Sequence, residues 1–169
     1  MGHKISIEFD YSILKSTLYV GEFGAQLVRL NFTVNEIDTF IPLIDDKAID
    51  FIARINDHSY YDIQVKTIRL TKERYFYESK AKWGHTIRTN LLIAFVILQS
   101  HKAPTILLIR GSNWTDESSN NKIFANRDYE GKKSLPEWGL TINLKNLEYL
   151  AAKYDIDTVL TDLKENASR

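Results

Sequence analysis

Four side chains in this 169-residue sequence are of the types that together handle a phosphate: the carboxylates of Glu22 and Asp50, the amide of Gln64 and the amine of Lys66. Two carboxylates and an amide oxygen are hard donors that suit a cation such as Mg²⁺, with Mn²⁺ an alternative. Such an ion polarises a phosphate, lowers the pKa of a bound water and neutralises charge on the leaving oxygen. A lysine beside it orients the attacking water or stabilises the extra negative charge of the transition state.

Three of the four fall in one stretch, residues 48–67, AIDFIARINDHSYYDIQVKT. Around a turn at Asn56-Asp57-His58, residues 49–55 and 60–68 are rich in β-branched and aromatic types, the signature of a hairpin. Alternation puts Tyr60, Asp62, Gln64 and Lys66 on one face and Tyr61, Ile63, Val65 and Thr67 on the other. The pattern admits two readings: an antiparallel hairpin with one wet face, or a ledge on which Asp50 approaches Gln64 and Lys66. Glu22 must come from elsewhere. Ile13, Leu14, Leu18, Val20, Phe23, Leu27, Val28 and Leu30 have roughly helical spacing, with Asp10 or Ser12 as the cap and an end near Leu30. Gly21 and Gly24 inside this helix cost about 1 kcal/mol each relative to alanine, which implies close packing against a sheet or tight approach to a site. Spacing alone does not carry Glu22 to the hairpin, and the ordinary fate of a helix glutamate is solvation.

Along the rest of the chain, residues 5–9 are a candidate strand, 32–37 and 40–44 read as extended, and Asp45-Asp46-Lys47 is a charged turn into the hairpin. Residues 75–82 alternate aromatic and charged types like another strand, and 83–90 are irregular or a short helix. The apolar runs 91–98 and 105–109 favour two buried strands over a helix, given the turn residues between them. Residues 111–121 read as a polar loop. Trp138 to Ile142 reads as a last strand, Asn143 as an N-cap, 144–154 as an amphipathic helix and 158–165 as a further short one. Helix, strands, then helices argues for an α/β or α+β chain with a mixed sheet.

Twenty-two basic residues balance twenty-two acidic ones, so any attraction for nucleic acid must come from a local patch. The absence of cysteine excludes disulfides and thiolate metal sites and fits a reducing compartment. The longest apolar run, 91–98, is too short to span a membrane, no signal-peptide pattern opens the chain, and a cytoplasmic location is expected. Three glycosylation-type triplets and a loose myristoylation pattern at Met1-Gly2 are read as chance. His3, His58, His85 and His101 show no ligand spacing, and Trp114 and Trp138 read as packing anchors. Neither a phosphate-binding glycine loop nor a serine-hydrolase motif is present.

The order of a helix with Gly21-Glu22, a strand with Ile49-Asp50 and a strand with Asp62-Ile63-Gln64-Val65-Lys66 resembles the PD-(D/E)xK nuclease superfamily. The segment IQVKT, with glutamine at the acid position, is similar to group I intron-type homing endonucleases of that superfamily and to related bacterial proteins. The likeness covers residues 11–155, including the strand pair at 91–109 and the approach Pro136-Glu137-Trp138-Gly139 to a terminal helix. It implies a restriction-endonuclease-like α/β fold: a mixed sheet flanked by helices, an αβββ core plus an extra strand pair and C-terminal helices, in one domain over 1–169. It also implies a Mg²⁺-dependent endodeoxyribonuclease that acts on DNA as a homodimer. In that likeness Asp50 is the central metal ligand, Glu22 ligates directly or through water, Gln64 offers its carbonyl oxygen, and Lys66 activates water or stabilises the pentavalent phosphorus. Two departures stand out. Ile49 replaces a proline, and Gln64 replaces an acid, which leaves the site one negative charge short. Asp62 lies on the same face about 6.6 Å of strand rise away and reads as exposed.

Around this stretch lies the most basic part of the chain: Arg69, Lys72, Arg74, Lys80, Lys82 and Arg88, against the opposing charges Glu73 and Glu78, with Tyr75, Phe76, Tyr77 and Trp83 interleaved. That mixture suits phosphate contacts with aromatic stacking, or equally a solvated strand whose aromatics face the core. Arg127, Lys132 and Lys133 form a candidate second patch. Two rival functions follow from Gln64 and the aromatic surface: a nuclease fold that binds nucleic acid without cutting it, or a protein-interaction module.

Overall fold

The computed structural model describes residues 3–167, apart from 6, 9, 45–46, 119–122, 130 and 132–133 and the side chains of 115–118. The myristoylation pattern, the turn at Asp45-Asp46, and Lys132 and Lys133 of the second patch therefore lie outside the described residues, as do Ser6 and Phe9 of the candidate first strand. Its remaining residues form no strand.

After a single 3-10 turn at Tyr11–Ile13, helix α1 runs from Thr17 to Val34 (Thr17–Val34). It starts later than expected because Ser16, not Asp10 or Ser12, caps it: the Ser16 hydroxyl accepts from the Leu18 N–H. It also continues through Phe32, which the spacing had placed in a strand. Val20, Gly24, Leu27, Val28, Asn31 and Phe32 form its buried stripe.

Strands β1 (Asp38–Phe40), β2 (Phe51–Asn56) and β3 (Ser59–Arg69) follow as an antiparallel meander. Residues 41–44 are in no regular element, contrary to the extended reading. Next come β4 (Glu73–Ser79), a one-turn helix α2 (Lys80–Trp83), β5 (Leu91–Leu98) and β6 (Thr105–Arg110). Helix α3 (Gly111–Ser118) occupies most of what reads as a polar loop. The reading fails there because the anchoring contact is one residue: Trp114 is fully buried, and its indole N–H donates to the Gly139 carbonyl at 2.8 Å. Then β7 (Phe124–Arg127), β8 (Glu137–Asn143), α4 (Leu147–Tyr154) and α5 (Ile156–Ala167) complete the chain. Asn143 does not cap α4 directly. Its side chain accepts from the Lys145 and Asn146 N–H groups in the turn that precedes the helix.

The architecture is the expected mixed α/β one, a five-stranded sheet in the order β1-β2-β3-β5-β6 flanked by helices, together with an unexpected three-stranded sheet β4-β8-β7. Among the described residues of the large sheet, only β3 and β5 pair in parallel. Parallel neighbours require a long crossover, and β4 with α2 supply it. All eight residues of β5 are buried, as a strand covered on both faces should be. Leu92, Ala94, Val96 and Leu98 face a core under α1 and α5, while Leu91, Ile93, Phe95 and Ile97 face a second core shared with the small sheet. Among the described residues no helix is long and apolar enough to cross a membrane.

Gly24 sets how α1 sits. A Cβ there would lie 1.9 Å from Thr67 Oγ1 on β3, whereas one at Gly21 would meet nothing within 4 Å. Gly24→Ala should therefore destabilise the protein by about 1–3 kcal/mol through overpacking. Gly21→Ala should stabilise it by about 0.5–1 kcal/mol through helix propensity. Urea denaturation of the two variants separates these signs.

Candidate functional site

β2 and β3 pair in register only to Phe51 opposite Ile63, and β3 then continues for six more residues with β5 alone on one side. The first amide beyond the pairing that points to the vacated side is that of Val65. It donates to Asp50 Oδ2 at 2.6 Å, while the Asp50 N–H donates to the Ile63 carbonyl at 2.9 Å. A carboxylate accepting an edge N–H makes a charge-assisted bond. It fixes Asp50, itself exposed, over the backbone between Gln64 and Lys66. The ledge anticipated from the hairpin thus brings these three residues together.

Gln64 and Lys66 lie on the β3 face that looks toward the small sheet. Gln64 is 3 % exposed, and its Oε1 accepts from the Trp83 indole N–H at 2.6 Å. Indole is a donor only, so this bond defines which way the amide points. Lys66 Nζ stands 3.4 Å from Glu78 Oε2 and 5.5 Å from the centre of the Phe76 ring. Lys82 Nζ is 3.3 Å from the other oxygen of the same carboxylate. Glu78, 7 % exposed, and Trp83 both ride on the β4–α2 crossover. Sequence reasoning counted Glu78 only as an opposing charge. Its one local signal is the two-residue spacing from Phe76, which sets both on the inward face of β4.

Glu22 does not join this group. On an α-helix Glu22 and Gly24 are about 200° apart around the axis, and Gly24 faces Thr67. Thr67 is on the opposite face of β3 from Lys66. Glu22 is exposed and accepts from the Gln26 amide at 2.7 Å, a solvated helix carboxylate.

The basic residues divide. Lys80 is not a surface contact: α2 begins there, Ser79 caps it, and the turn sends the lysine inward, 3 % exposed, to both Asp128 oxygens at 2.8 Å and over the Trp138 ring at 4.7 Å. Arg69 donates to the Tyr11 and Leu14 carbonyls, tying the first turn to β3. Arg88 pairs with Asp62 at 3.4 Å, so Asp62 is part-buried rather than exposed. Lys72 and Arg74 are exposed, as is over half of the Lys82 side chain. Arg74 lines, with Arg69, Thr67, Gly21 and Thr17, a cavity of about 360 Å³ between the start of α1 and β4. In its wall Tyr75 is held protonated well above the usual phenol range, by burial and then by its hydrogen bond to Glu137. Trp114 and Trp138 are both buried anchors.

The donors fit a hard divalent cation in kind. All are oxygens: the Asp50 carboxylate and the Gln64 carbonyl, which keeps a second lone pair after accepting from Trp83. They are short in number, and among the described residues no group of three or more His, Cys, Asp or Glu is placed to hold a metal.

No protein-family model and no curated protein sequence matches the chain. Among solved structures it is similar to Hjc, a Holliday junction resolvase from the archaeal hyperthermophile Archaeoglobus fulgidus. The identity is 10 % and the TM-score 0.39, over 72 % of this chain and 89 % of that one.

The Trp83–Gln64 bond is testable by itself. Trp83→Phe strands a buried carbonyl oxygen and should cost about 1–3 kcal/mol beyond the loss of volume. Adding Gln64→Leu should recover part of that loss, because both polar partners are then gone. A double-mutant cycle in urea measures the coupling.

Proposed function

We propose that the chain is a metal-dependent endodeoxyribonuclease of the PD-(D/E)xK type, a single domain that hydrolyses DNA phosphodiesters as a homodimer. The observation that carries this reading is the Asp50 carboxylate fixed on β3 between Gln64 and Lys66. Asp50 and Gln64 are the residues to hold Mg²⁺ or Mn²⁺, which when bound supplies Lewis acidity toward the phosphate and a more acidic water. Lys66 presents its ammonium group from the same strand face. There it balances the charge that grows on the non-bridging oxygens as the phosphorus becomes pentavalent. β3 is rigidly packed on its other face, so the distances among these groups hold as the substrate docks. Two copies would present two such sites to the two strands of a duplex.

A second reading is favoured by a specific observation. Gln64 is buried on Trp83, and Glu22 faces away, so the chain keeps fewer acidic ligands than the pattern it resembles. In this reading the protein binds nucleic acid without cutting it.

Incubation with supercoiled, linear and branched DNA in Mg²⁺ or Mn²⁺ separates the two. Cleavage by the wild type that falls on the order of 100-fold or more in Asp50→Asn and in Lys66→Ala supports hydrolysis at this site. Equal cleavage by the variants would remove the assignment. For binding, Lys72→Ala and Arg74→Ala should each lower the slope of log affinity against log salt by about one. Lys80→Met should leave that slope alone, since Lys80 is sequestered by Asp128. Fluorescence anisotropy at several salt concentrations reads both.

A further inference from the structure

Position 64 carries an amide where the resembling pattern carries an acid, yet an acid does reach the same lysine. Lys66 Nζ lies 3.4 Å from Glu78 Oε2, and Glu78 comes not from β3 but from the crossover strand β4. In an acid-x-lysine strand, acid and lysine share a face two residues apart, so the carboxylate lies beside the ammonium group. Glu78 reproduces that neighbourhood from across the second core.

Three further facts bear on what this carboxylate does. It is 7 % exposed, and a carboxylate so buried needs close polar partners. Its partners are both lysines, Lys66 and Lys82. The Lys82 side chain is 56 % exposed, so solvent screens that contact and leaves the oxygen exchangeable. Finally, α2 begins directly after β4, so the segment that delivers Glu78 also delivers Trp83 to Gln64.

We infer that Glu78 is the second carboxylate of the site: from β4 it supplies, toward the divalent cation held by Asp50, the negative charge that position 64 lacks. The inference rests on the metal-dependent reading above. Glu78 is then part of the cation's binding field and not merely an anchor for two lysines, and the glutamine at position 64 is tolerated because the acid has moved to a neighbouring strand.

Calorimetric titration with Mn²⁺ tests this without relying on cleavage. Glu78→Gln keeps the shape of the side chain and should weaken Mn²⁺ binding about 10-fold or more. Moving the charge back, in Gln64→Glu with Glu78→Gln, should restore most of the affinity. The single change Gln64→Glu should tighten Mn²⁺ binding and needs no loss of Glu78, which covers the case in which Glu78→Gln does not fold. Unchanged Mn²⁺ affinity in a folded Glu78→Gln protein, or no gain from Gln64→Glu, would overturn the inference while leaving the nuclease reading in place. Wild-type protein that binds no Mn²⁺ would overturn both, and that failure is read on the wild type alone.

Discussion

The structure turns on one mismatch of lengths: β3 outruns β2. Up to Ile63 the strand is held on both sides, and beyond it only β5 continues the ladder. A strand flank without a neighbour leaves backbone donors to be satisfied by something else. Asp50 takes the Val65 amide, and in doing so becomes part of the sheet at the point where the sheet ends. The parallel pairing of β3 with β5 adds the second constraint. A crossover must leave the end of β3 and return to the start of β5, and its path over the second core carries Phe76, Glu78, Lys80 and Trp83 past the same strand.

How legible this was in the sequence depends on distance along the chain. Asp50, Gln64 and Lys66 sit within one hairpin, so strand periodicity kept their approach as one of two readings, and the resemblance to a known motif favoured it. The apolar runs of β5 and β6 were legible for a similar reason, since unbroken burial leaves no other place for them. Glu22 was not, because its direction depends on the rotation of α1, and a short stretch of helical spacing does not fix rotation. The decisive residue was Gly24, whose missing side chain admits Thr67 and turns Glu22 to solvent. Lys80 and Glu78 were misjudged for the same reason, a partner far away along the chain. Lys80 looked exposed by composition, but its partner, Asp128, is 48 residues away. Glu78 looked like a solvated counter-charge, but the pairing of β4 with β8, which spans some sixty residues, buries it. The small sheet as a whole is made of such distant pairings, and short-range pattern is blind to them.

Glycine and tryptophan do more than fill space in this arrangement. Gly24 lets α1 approach β3 on one face, and Trp83 closes on Gln64 from the other. Trp83 also meets Trp114 edge-to-face at 5.4 Å and Phe76 at 5.8 Å. The amide is therefore held by a donor that is itself wedged among aromatic rings, and contacts of this kind are geometrically selective. The site is stiff on both sides of the strand that carries it.

That stiffness bears on why the inner face of β3 is polar at all. Asp62, Gln64 and Lys66 occupy positions on a central strand where valine or isoleucine would pack against Leu91, Ile93 and Phe95 without any need for partners. Each polar side chain instead requires a specific companion: Arg88 for Asp62, Trp83 for Gln64, Glu78 for Lys66. Buried polar networks of this sort are commonly no more stabilising than an apolar replacement of similar volume, because desolvation offsets most of what the pairs return. They also fail sharply when one member is lost. Stability alone therefore gives no reason for three consecutive inward positions to be polar. A reaction or a ligand that needs a carboxylate, an amide oxygen and an ammonium group at fixed separations would give one, and the flank of β3 left unpaired by β2 beyond Ile63 adjoins these groups.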